Sequence, residues 1–366
     1  MTNKLAIIGG SGLYDVEDFK EREFLDIKTP WGSPSDKVLK TKFNWGIIGT
    51  GGIANAFAKD LSYLKDHTVA AVGSRTIINA QNFASKYSGC VGYASYSELV
   101  ADPNLDGIYI ATPNNFHVEH TILALDAGKP VLCEKPFAIN TSEVELMVNT
   151  ATQNQLTLIE AMWTRFLPHI EIVRKIIDSD VLGNIHTLQA DHGQRLSDSN
   201  NPRLWEPALG GGALLDLGIY VVSFAHLILG VPDKITAKSN FTDKGVDEQT
   251  SAIFEYKNGA QAILNTTLSN STPCRAIVSG VNGWLEIDRT FYNPAAMRVV
   301  LHDGTKTEYP NNYKGHGLRE QAIEFSRCVR SRLIESPLMP HSESIAVMRS
   351  MDEIRRGIGL HYPNEY

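Results

Sequence analysis

Residues Trp45–Ala54 read WGIIGTGGIA, and the order of residue types in that stretch decides the fold. An apolar run (Trp45, Ile47, Ile48) ends in Gly49-Thr50-Gly51-Gly52-Ile53-Ala54, a G-x-G-x-x-A pattern. Glycine at 49 permits a tight strand-to-helix turn. Glycine at 51 lets the backbone approach a pyrophosphate seated at a helix N-terminus, and Ala54 is small enough for the helix to lie close on its strand. Alone the pattern is weak, because glycines gather in turns for many reasons. Its setting strengthens it: a helix-like run at 53–64 follows, and a second apolar run at 68–73 arrives about 20 residues on.

Outward from this turn the chain alternates. Short apolar runs at 45–49, 69–73, 107–112, 130–134 and 156–160 read as buried strands, and helical periodicity appears at 53–64, 77–87, 116–127 and 142–152. That alternation predicts an α/β fold, a doubly wound and mostly parallel Rossmann sheet whose ligands sit at the carboxyl ends of the strands. Those ends carry Gly49–Gly52 with Ile53, Ser74-Arg75, Thr112-Pro113-Asn114, Glu134-Lys135-Pro136 and Trp163. The second strand ends in Gly73-Ser74-Arg75 and offers no carboxylate for an adenosine ribose. Ser74 can donate to a 2′-phosphate and Arg75 can pair with it, so NADP is expected over NAD; the plain alternative is an Arg75 that only caps a turn. Lys135 directly precedes a proline at the end of a buried strand, a poor place for a solvated charge, and Pro136 restricts its backbone and allows a cis bond.

A second domain is expected from about residue 161. Residues 166–179 read as a helix and 186–192 as a strand, followed by a polar loop with Arg195, Arg203 and Trp205 and by Gly210-Gly211-Gly212. A continuous helix over 213–229 would set Asp216 and Tyr220 on one face, amid otherwise apolar residues that imply burial. A buried Asp beside a buried Tyr needs partners, and a purely structural role for both stays open. From 234 to 301 about six short alternating runs with Asn-Gly turns predict a large, mostly antiparallel sheet. Helices at 318–333 and 342–358 close the chain, and the last of them is expected to pack back on the first domain.

Length and composition bound the class. The 366 residues exceed one ordinary core, and 43% hydrophobic with 20% charged residues is a globular composition. A formal net charge of -7 with no basic run argues against nucleic acid. No metal site is expected: Cys90, Cys133, Cys274 and Cys328 lie far apart and read as reduced thiols of a cytoplasmic protein. No apolar stretch is read as membrane-spanning and no signal peptide is evident, so no membrane partner is expected.

The five ordered segments GIIGTGGIA, ATPNNFH, CEKPFAI, EAMWTRFLP and GGGALLDLGIY resemble the Gfo/Idh/MocA oxidoreductase family, in the branch with dimeric dihydrodiol dehydrogenases and NADP-dependent D-xylose dehydrogenases. The resemblance runs from about Phe43 to the C-terminus. It implies a Rossmann domain at 42–160 and a substrate-binding domain at 161–366, whose open sheet makes a homodimer or homotetramer. It further implies that Lys135 contacts cofactor and substrate, that Asp216 and Tyr220 enter the active site, that Thr112, Pro113, Asn114, His117 and Glu134 line the cofactor site, and that Trp163 faces a sugar or diol substrate. Arg165, Arg195 and Trp205 are pocket-wall candidates, with a packing or surface role equally open for each.

The chemistry expected is hydride exchange between NADP and a sugar or vicinal diol. Tyr220 would be the acid/base, its pKa lowered by Lys135, and Asp216 would hold either a substrate hydroxyl or Lys135. A non-catalytic nucleotide sensor of the same fold is the rival. Residues 1–41 read as an appended arm, a fusion or a misplaced start. KLAIIGGSGLYD followed by TPWGSPSD resembles the N-terminus of methylthioadenosine phosphorylases, whose GGSG turn helps bind phosphate, so a phosphate site at Ser11 is a remote alternative.

Overall fold

The structure, a computed structural model, describes residues 23–25, 38–40, 42–196, 199 and 201–363. The strand and turn read at 4–12, with Ser11, lie outside the described residues. Within the arm, Glu23–Leu25 pairs antiparallel with Val38–Lys40.

The first sheet has six strands: β1 (Phe43–Ile48), β2 (His67–Gly73), β3 (Val91–Tyr93), β4 (Gly107–Ile110), β5 (Val131–Glu134) and β6 (Leu158–Ala161). They run parallel in the order β3-β2-β1-β4-β5-β6, the two-fold βαβαβ arrangement of dinucleotide-binding proteins. The strands are apolar because helices cover both faces: every residue of β4, β5 and β6 is buried. β3 escaped the sequence reading because it is three half-exposed residues around Gly92 with no apolar run.

The second sheet has eight strands, not six: β7 (Ile185–Gly193), β8 (Lys234–Phe241), β9 (Asp247–Glu255), β10 (Gln261–Thr267), β11 (Ala276–Gly280), β12 (Gly283–Ile287), β13 (Met297–Leu301) and β14 (Lys306–Tyr309). Their order is β8-β9-β10-β7-β11-β12-β13-β14, antiparallel throughout except where β7 lies parallel to β10. The strand read at 186–192 thus becomes the centre of this sheet. β14 is a polar edge, almost wholly exposed, and gave no hydrophobic signal.

The segment expected as one helix over 213–229 begins instead as a wide π-helical turn, Leu214–Gly218, and becomes an α-helix at Ile219–Leu229. It lies on the inner face of β7 and β10. Contrary to the sequence reading, residues Pro207–Leu229 are apolar enough to span a membrane by length and composition, but 83% of the apolar window is buried inside the protein, as in a core helix.

The chain's end returns to the first domain. Helix Arg319–Arg330 brings Phe325 against Phe43 and Trp45 of β1, and helix His341–Ile358 receives two hydrogen bonds at Asp352 from Thr141. Asp60, buried in the first helix (Gly52–Leu61), accepts backbone N–H groups of His316, Gly317 and Arg319 at 2.8, 3.0 and 2.9 Å. One carboxylate therefore satisfies the donors at the start of helix Arg319–Arg330 and ties it to the dinucleotide fold. Asp60→Ala is expected to lower stability by about 1–3 kcal/mol, since it orphans three donors of which the Gly317 N–H is buried, and to appear as a lower unfolding temperature.

Candidate active site

The glycine turn is built as its sequence requires, for two separable reasons. Gly49 adopts φ +105°, and a Cβ there would stand 2.7 Å from the Ala111 carbonyl oxygen, so the fold itself demands glycine. Gly51 and Gly52 are exposed, and a Cβ on either would meet no protein atom within 4 Å. Packing therefore does not explain them. The helix they open has no side-chain cap and no acidic residue in its first turn, leaving backbone donors and the positive dipole end facing an open cradle. These residues fit a dinucleotide pyrophosphate. Ile53 is half-buried behind the turn, and Ala54 is fully buried against the sheet.

At the end of β2, Ser74 is buried and Arg75 exposed, with no carboxylate beside them. Beyond β4, Thr112 and Pro113 are half-buried, and Asn114 is buried with its amide donating to the Gly210 carbonyl at 3.4 Å. That bond joins the loop after β4 to the Gly210–Gly212 turn. His117 is fully enclosed, its two ring nitrogens 2.8 Å from the Pro136 carbonyl oxygen and 2.9 Å from that of Thr112. Burial drives its pKa down to about 4. The neutral ring carries one N–H, so it donates to one of these two carbonyls and packs against the other, between the Thr112 and Pro136 loops. Glu134 is likewise buried, takes the Tyr109 hydroxyl proton in a hydrogen bond, and is pushed up to about 7 by burial.

Lys135 follows, before a cis Pro136, and its Nζ donates to the main-chain carbonyl of Asp216 at 2.8 Å. The same ammonium lies 3.5 Å from Asp216 Oδ1 and 4.8 Å from the centre of the Tyr220 ring. The wide turn places Asp216 and the α-helix places Tyr220, so the two flank Lys135 although they do not share one regular helical face. Arg203, in the short helix Pro202–Trp205, completes the group: its Nη1 and Nη2 reach Asp216 Oδ1 and Oδ2 at 2.8 and 3.3 Å. Burial would raise the Asp216 pKa, but Lys135 and Arg203 outweigh it and hold the carboxyl well below the usual range.

Tyr220 corrects one expectation. Its hydroxyl accepts from the Trp163 indole at 2.8 Å, and Lys135 faces its ring, not its oxygen. Burial pushes the phenol well above its ordinary value, and nearby Glu134 and Asp216 add to that despite the Trp163 bond. Tyr220 is thus held protonated. Trp163 itself packs edge-on against Tyr220 and Tyr292. Arg165 is not a pocket wall: it is buried, bonded to Ser223 Oγ and carbonyl at 2.9 and 2.7 Å and to Glu343 at 2.6 Å. Trp205 also turns inward, its indole donating to the Ser199 carbonyl at 2.9 Å. Arg195 is exposed, and with Gln194, Arg289 and Tyr292 it lines a cleft of about 330 Å³.

Two residues were missed besides Arg203. His192 stacks on Tyr292 at 3.9 Å and meets Tyr220 edge-on at 5.1 Å. Burial, then Lys135, pushes it down to about 3. Period-2 alternation puts Leu188, Ala190 and His192 on the buried face of β7, so that signal was readable. Tyr292 lies in an irregular loop, where no periodicity marks it.

Fold and site together define a two-domain dinucleotide-binding protein with a lysine–carboxylate–tyrosine group at the sheet's carboxyl edge. Residues 43–162 match the oxidoreductase family with an NAD-binding Rossmann fold, and residues 170–286 match the GFO/IDH/MocA C-terminal domain. Over 333 residues the chain is 36% identical to a trans-1,2-dihydrobenzene-1,2-diol dehydrogenase of Mus musculus, spanning 88% of this chain and 98% of the mouse protein. A relative so described from Xenopus tropicalis is 34% identical over 328 residues, 87% of this chain and 99% of that one. An aldose-aldose oxidoreductase from Caulobacter crescentus, complexed with glycerol, superposes with a TM-score of 0.78 at 26% identity, covering 86% of this chain and 97% of that one. A 3-ketoreductase from Actinomadura kijaniata, solved with NADP and TDP-benzene, gives 0.78 at 25% identity, covering 87% and 98%. The chain belongs to the Gfo/Idh/MocA oxidoreductase family and carries its nicotinamide-dinucleotide-binding domain. The family segments begin at residue 43, so nothing in them supports the phosphorylase resemblance.

The two glycines separate fold from binding. Gly49→Ala is expected to cost about 2 kcal/mol of stability through backbone strain alone. Gly51→Ala should leave the unfolding temperature nearly unchanged and weaken nicotinamide-dinucleotide affinity at least about tenfold, about 1.4 kcal/mol, in a fluorescence titration.

Proposed function

We propose that this protein transfers a hydride between NADP and a secondary alcohol or hemiacetal carbon of a sugar or vicinal diol, of the D-xylose or trans-dihydrodiol type. The observation that carries the reading is the placement of Lys135: its ammonium sits between Asp216 and the Tyr220 ring, on the loop leaving β5, at the same carboxyl edge of the sheet as the glycine cradle. The nicotinamide ring, when bound, supplies or accepts the hydride. Gly49–Ile53 would hold the pyrophosphate, Ser74 and Arg75 the adenosine end, and Thr112–Asn114 and Lys135 the path toward the nicotinamide.

The proton chemistry follows from the site as built. In the reducing direction Tyr220, held protonated by burial, gives its proton to the substrate oxygen while Lys135 donates a hydrogen bond to it. The Trp163 indole donates to the Tyr220 oxygen and so stabilises the phenolate left behind. Oxidation is the reverse: the substrate hydroxyl returns its proton to Tyr220 with Lys135 alongside. Tyr292 lines the cleft beside Tyr220, whereas Trp163, buried at 4% exposure, supports the Tyr220 hydroxyl from behind and does not face a substrate as the sequence suggested. The dihydrodiol dehydrogenase relatives support the diol end of this range and the aldose-active neighbour the sugar end. The absence of a carboxylate after β2, with Arg75 exposed there, supports NADP, as does the NADP in the Actinomadura structure.

We further propose a cytoplasmic homo-oligomer joined through the eight-stranded sheet. Its outer face presents Ile253 and Ile263, 42% and 44% exposed and directly paired across β9 and β10.

The test is nicotinamide absorbance with NADP and with NAD against pentoses, hexoses, inositols and a trans-dihydrodiol. Lys135→Met is expected to lose at least about 100-fold in kcat while still binding NADP. Near-normal turnover in that variant overturns the assignment. Tight NADP binding without turnover on any of these substrates supports the sensor reading instead. Arg75→Ala should weaken NADP much more than NAD, by about 1.5–3 kcal/mol for a lost charge-assisted bond. Equal losses mean Arg75 does not read the 2′-phosphate.

A further inference from the structure

We infer that Arg203 is a positioning residue for this reaction: its guanidinium holds the Asp216 carboxylate off Lys135, so that the lysine ammonium stays available to the substrate oxygen. The inference rests on the oxidoreductase reading of the site. Three distances carry it. Arg203 Nη1 is 2.8 Å from Asp216 Oδ1 and Nη2 is 3.3 Å from Oδ2, whereas Lys135 Nζ stands 3.5 Å from Oδ1, beyond the range of a good charge-assisted bond. Lys135 instead spends one N–H on the Asp216 main-chain carbonyl, at 2.8 Å.

The preference has a physical source. A guanidinium presents two parallel N–H groups that match a carboxylate's two oxygens, whereas an ammonium acts as a point charge. Arg203 therefore takes the carboxylate edge, and Lys135, bonded to the carbonyl below it, keeps only a long 3.5 Å contact to the carboxylate. Lys135, Arg203 and ionised Asp216 together carry one net positive charge, which favours the oxyanion character that develops on the substrate oxygen. Asp216 is 7% exposed and the Arg203 side chain 32%, so water screens this pair less than it would a surface pair.

Both partners hang on one frame. The Arg203 backbone N–H is capped by Asn201 Oδ1 at 3.2 Å, the next residue, Leu204, is buried, and the Leu204 carbonyl accepts the Gly212 N–H at 2.9 Å. Gly212 leads directly into the turn that carries Asp216. The loop bearing the guanidinium and the segment bearing the carboxylate are thus stitched together next to the pair they form.

Without the guanidinium, Asp216 Oδ1 would close the 3.5 Å gap and capture Lys135 in a tight pair. The experiment compares wild type, Arg203→Met, Arg203→Lys and the double variant Arg203→Met/Asp216→Asn. Two readouts are taken: kcat and KM on whichever sugar or diol is turned over, and the rate of reductive methylation of Lys135 followed by peptide mass mapping. Arg203→Met is expected to lower kcat about 10- to 100-fold with little change in KM, and to slow Lys135 methylation several-fold. The double variant is expected to restore both in part, because an amide cannot capture the ammonium as a carboxylate does. Arg203→Lys should fall between, and it serves where Arg203→Met does not fold.

Unchanged Lys135 methylation in Arg203→Met or Arg203→Lys overturns the inference whatever happens to kcat. So does a loss that the double variant fails to recover, which marks Arg203 as a structural prop. Methylation needs no substrate: a wild type that turns over nothing sinks the functional reading while Lys135 reactivity still decides the role of Arg203.

Discussion

An ionised carboxylate in a dry interior is the constraint on which this site depends. Asp216 is almost enclosed, and desolvation alone would neutralise it; Lys135 from the dinucleotide domain and Arg203 from the second domain keep it charged. Removing either cation leaves a buried anion half-compensated. The first domain therefore contributes the lysine, the second contributes the acid and the arginine, and the two domains are bonded electrostatically at the candidate site. An interdomain pair on a surface would be worth little, but this one lies at the meeting of both cores.

The elements around it hold those charges in register. A second buried carboxylate, Asp247 at the start of β9, accepts the Leu214 N–H at 2.8 Å and the Thr250 hydroxyl at 2.7 Å, fixing where the wide turn begins. Gly212 must be glycine there: its φ is +113°, and a Cβ would stand 2.2 Å from Asp247 Oδ1. From the other side Asn114 holds Gly210, and the Tyr362 hydroxyl donates to the Gly211 carbonyl at 2.7 Å. The Gly210–Gly212 turn is thus gripped by the loop after β4, the second sheet and the chain's end. The wide turn that follows it presents the main-chain carbonyl of Asp216 to Lys135, so backbone as well as side chain enters the site.

The sheet of the first domain was legible because its strands are doubly covered and so almost purely apolar, and because Gly49 and Gly51 mark the turn that only a dinucleotide fold uses in that setting. Lys135, Asp216, Tyr220 and Trp163 were legible because family motifs carry them. Geometry set by tertiary contact was not. Nothing local in LLDLG announces a π-helical turn, and the acceptor for its first N–H, Asp247, lies more than thirty residues away. Arg195 and Arg203 look alike in a polar loop; which one turns inward is decided by Asn201, Leu204 and the bond to Gly212. For Arg165 and Trp205 the sequence leaves a pocket and a packing role equally open; tertiary contacts decide it, Arg165 being buried on Ser223 and Trp205 half-buried with its indole on the Ser199 carbonyl. The exposed edge β14 and the three-residue β3 lack the apolar signal on which strand reading depends.

Tyr220 shows how burial can reverse an argument from proximity. A lysine near a tyrosine is expected to lower the phenol's pKa, but the effect depends on where the charge sits relative to the oxygen. Here the ammonium lies over the ring, where it gains a cation–π contact, and the oxygen faces an indole N–H in a nearly dry pocket beside two acidic groups. The phenol is therefore held protonated, which suits the proposed role of giving a proton to a carbonyl oxygen. A substrate oxygen bonded to both Tyr220 and Lys135 would change that balance, because it would set the ammonium against the atom on which negative charge develops. On the proposed reading, the acid stays loaded in the free protein and the phenolate becomes accessible only in the presence of substrate.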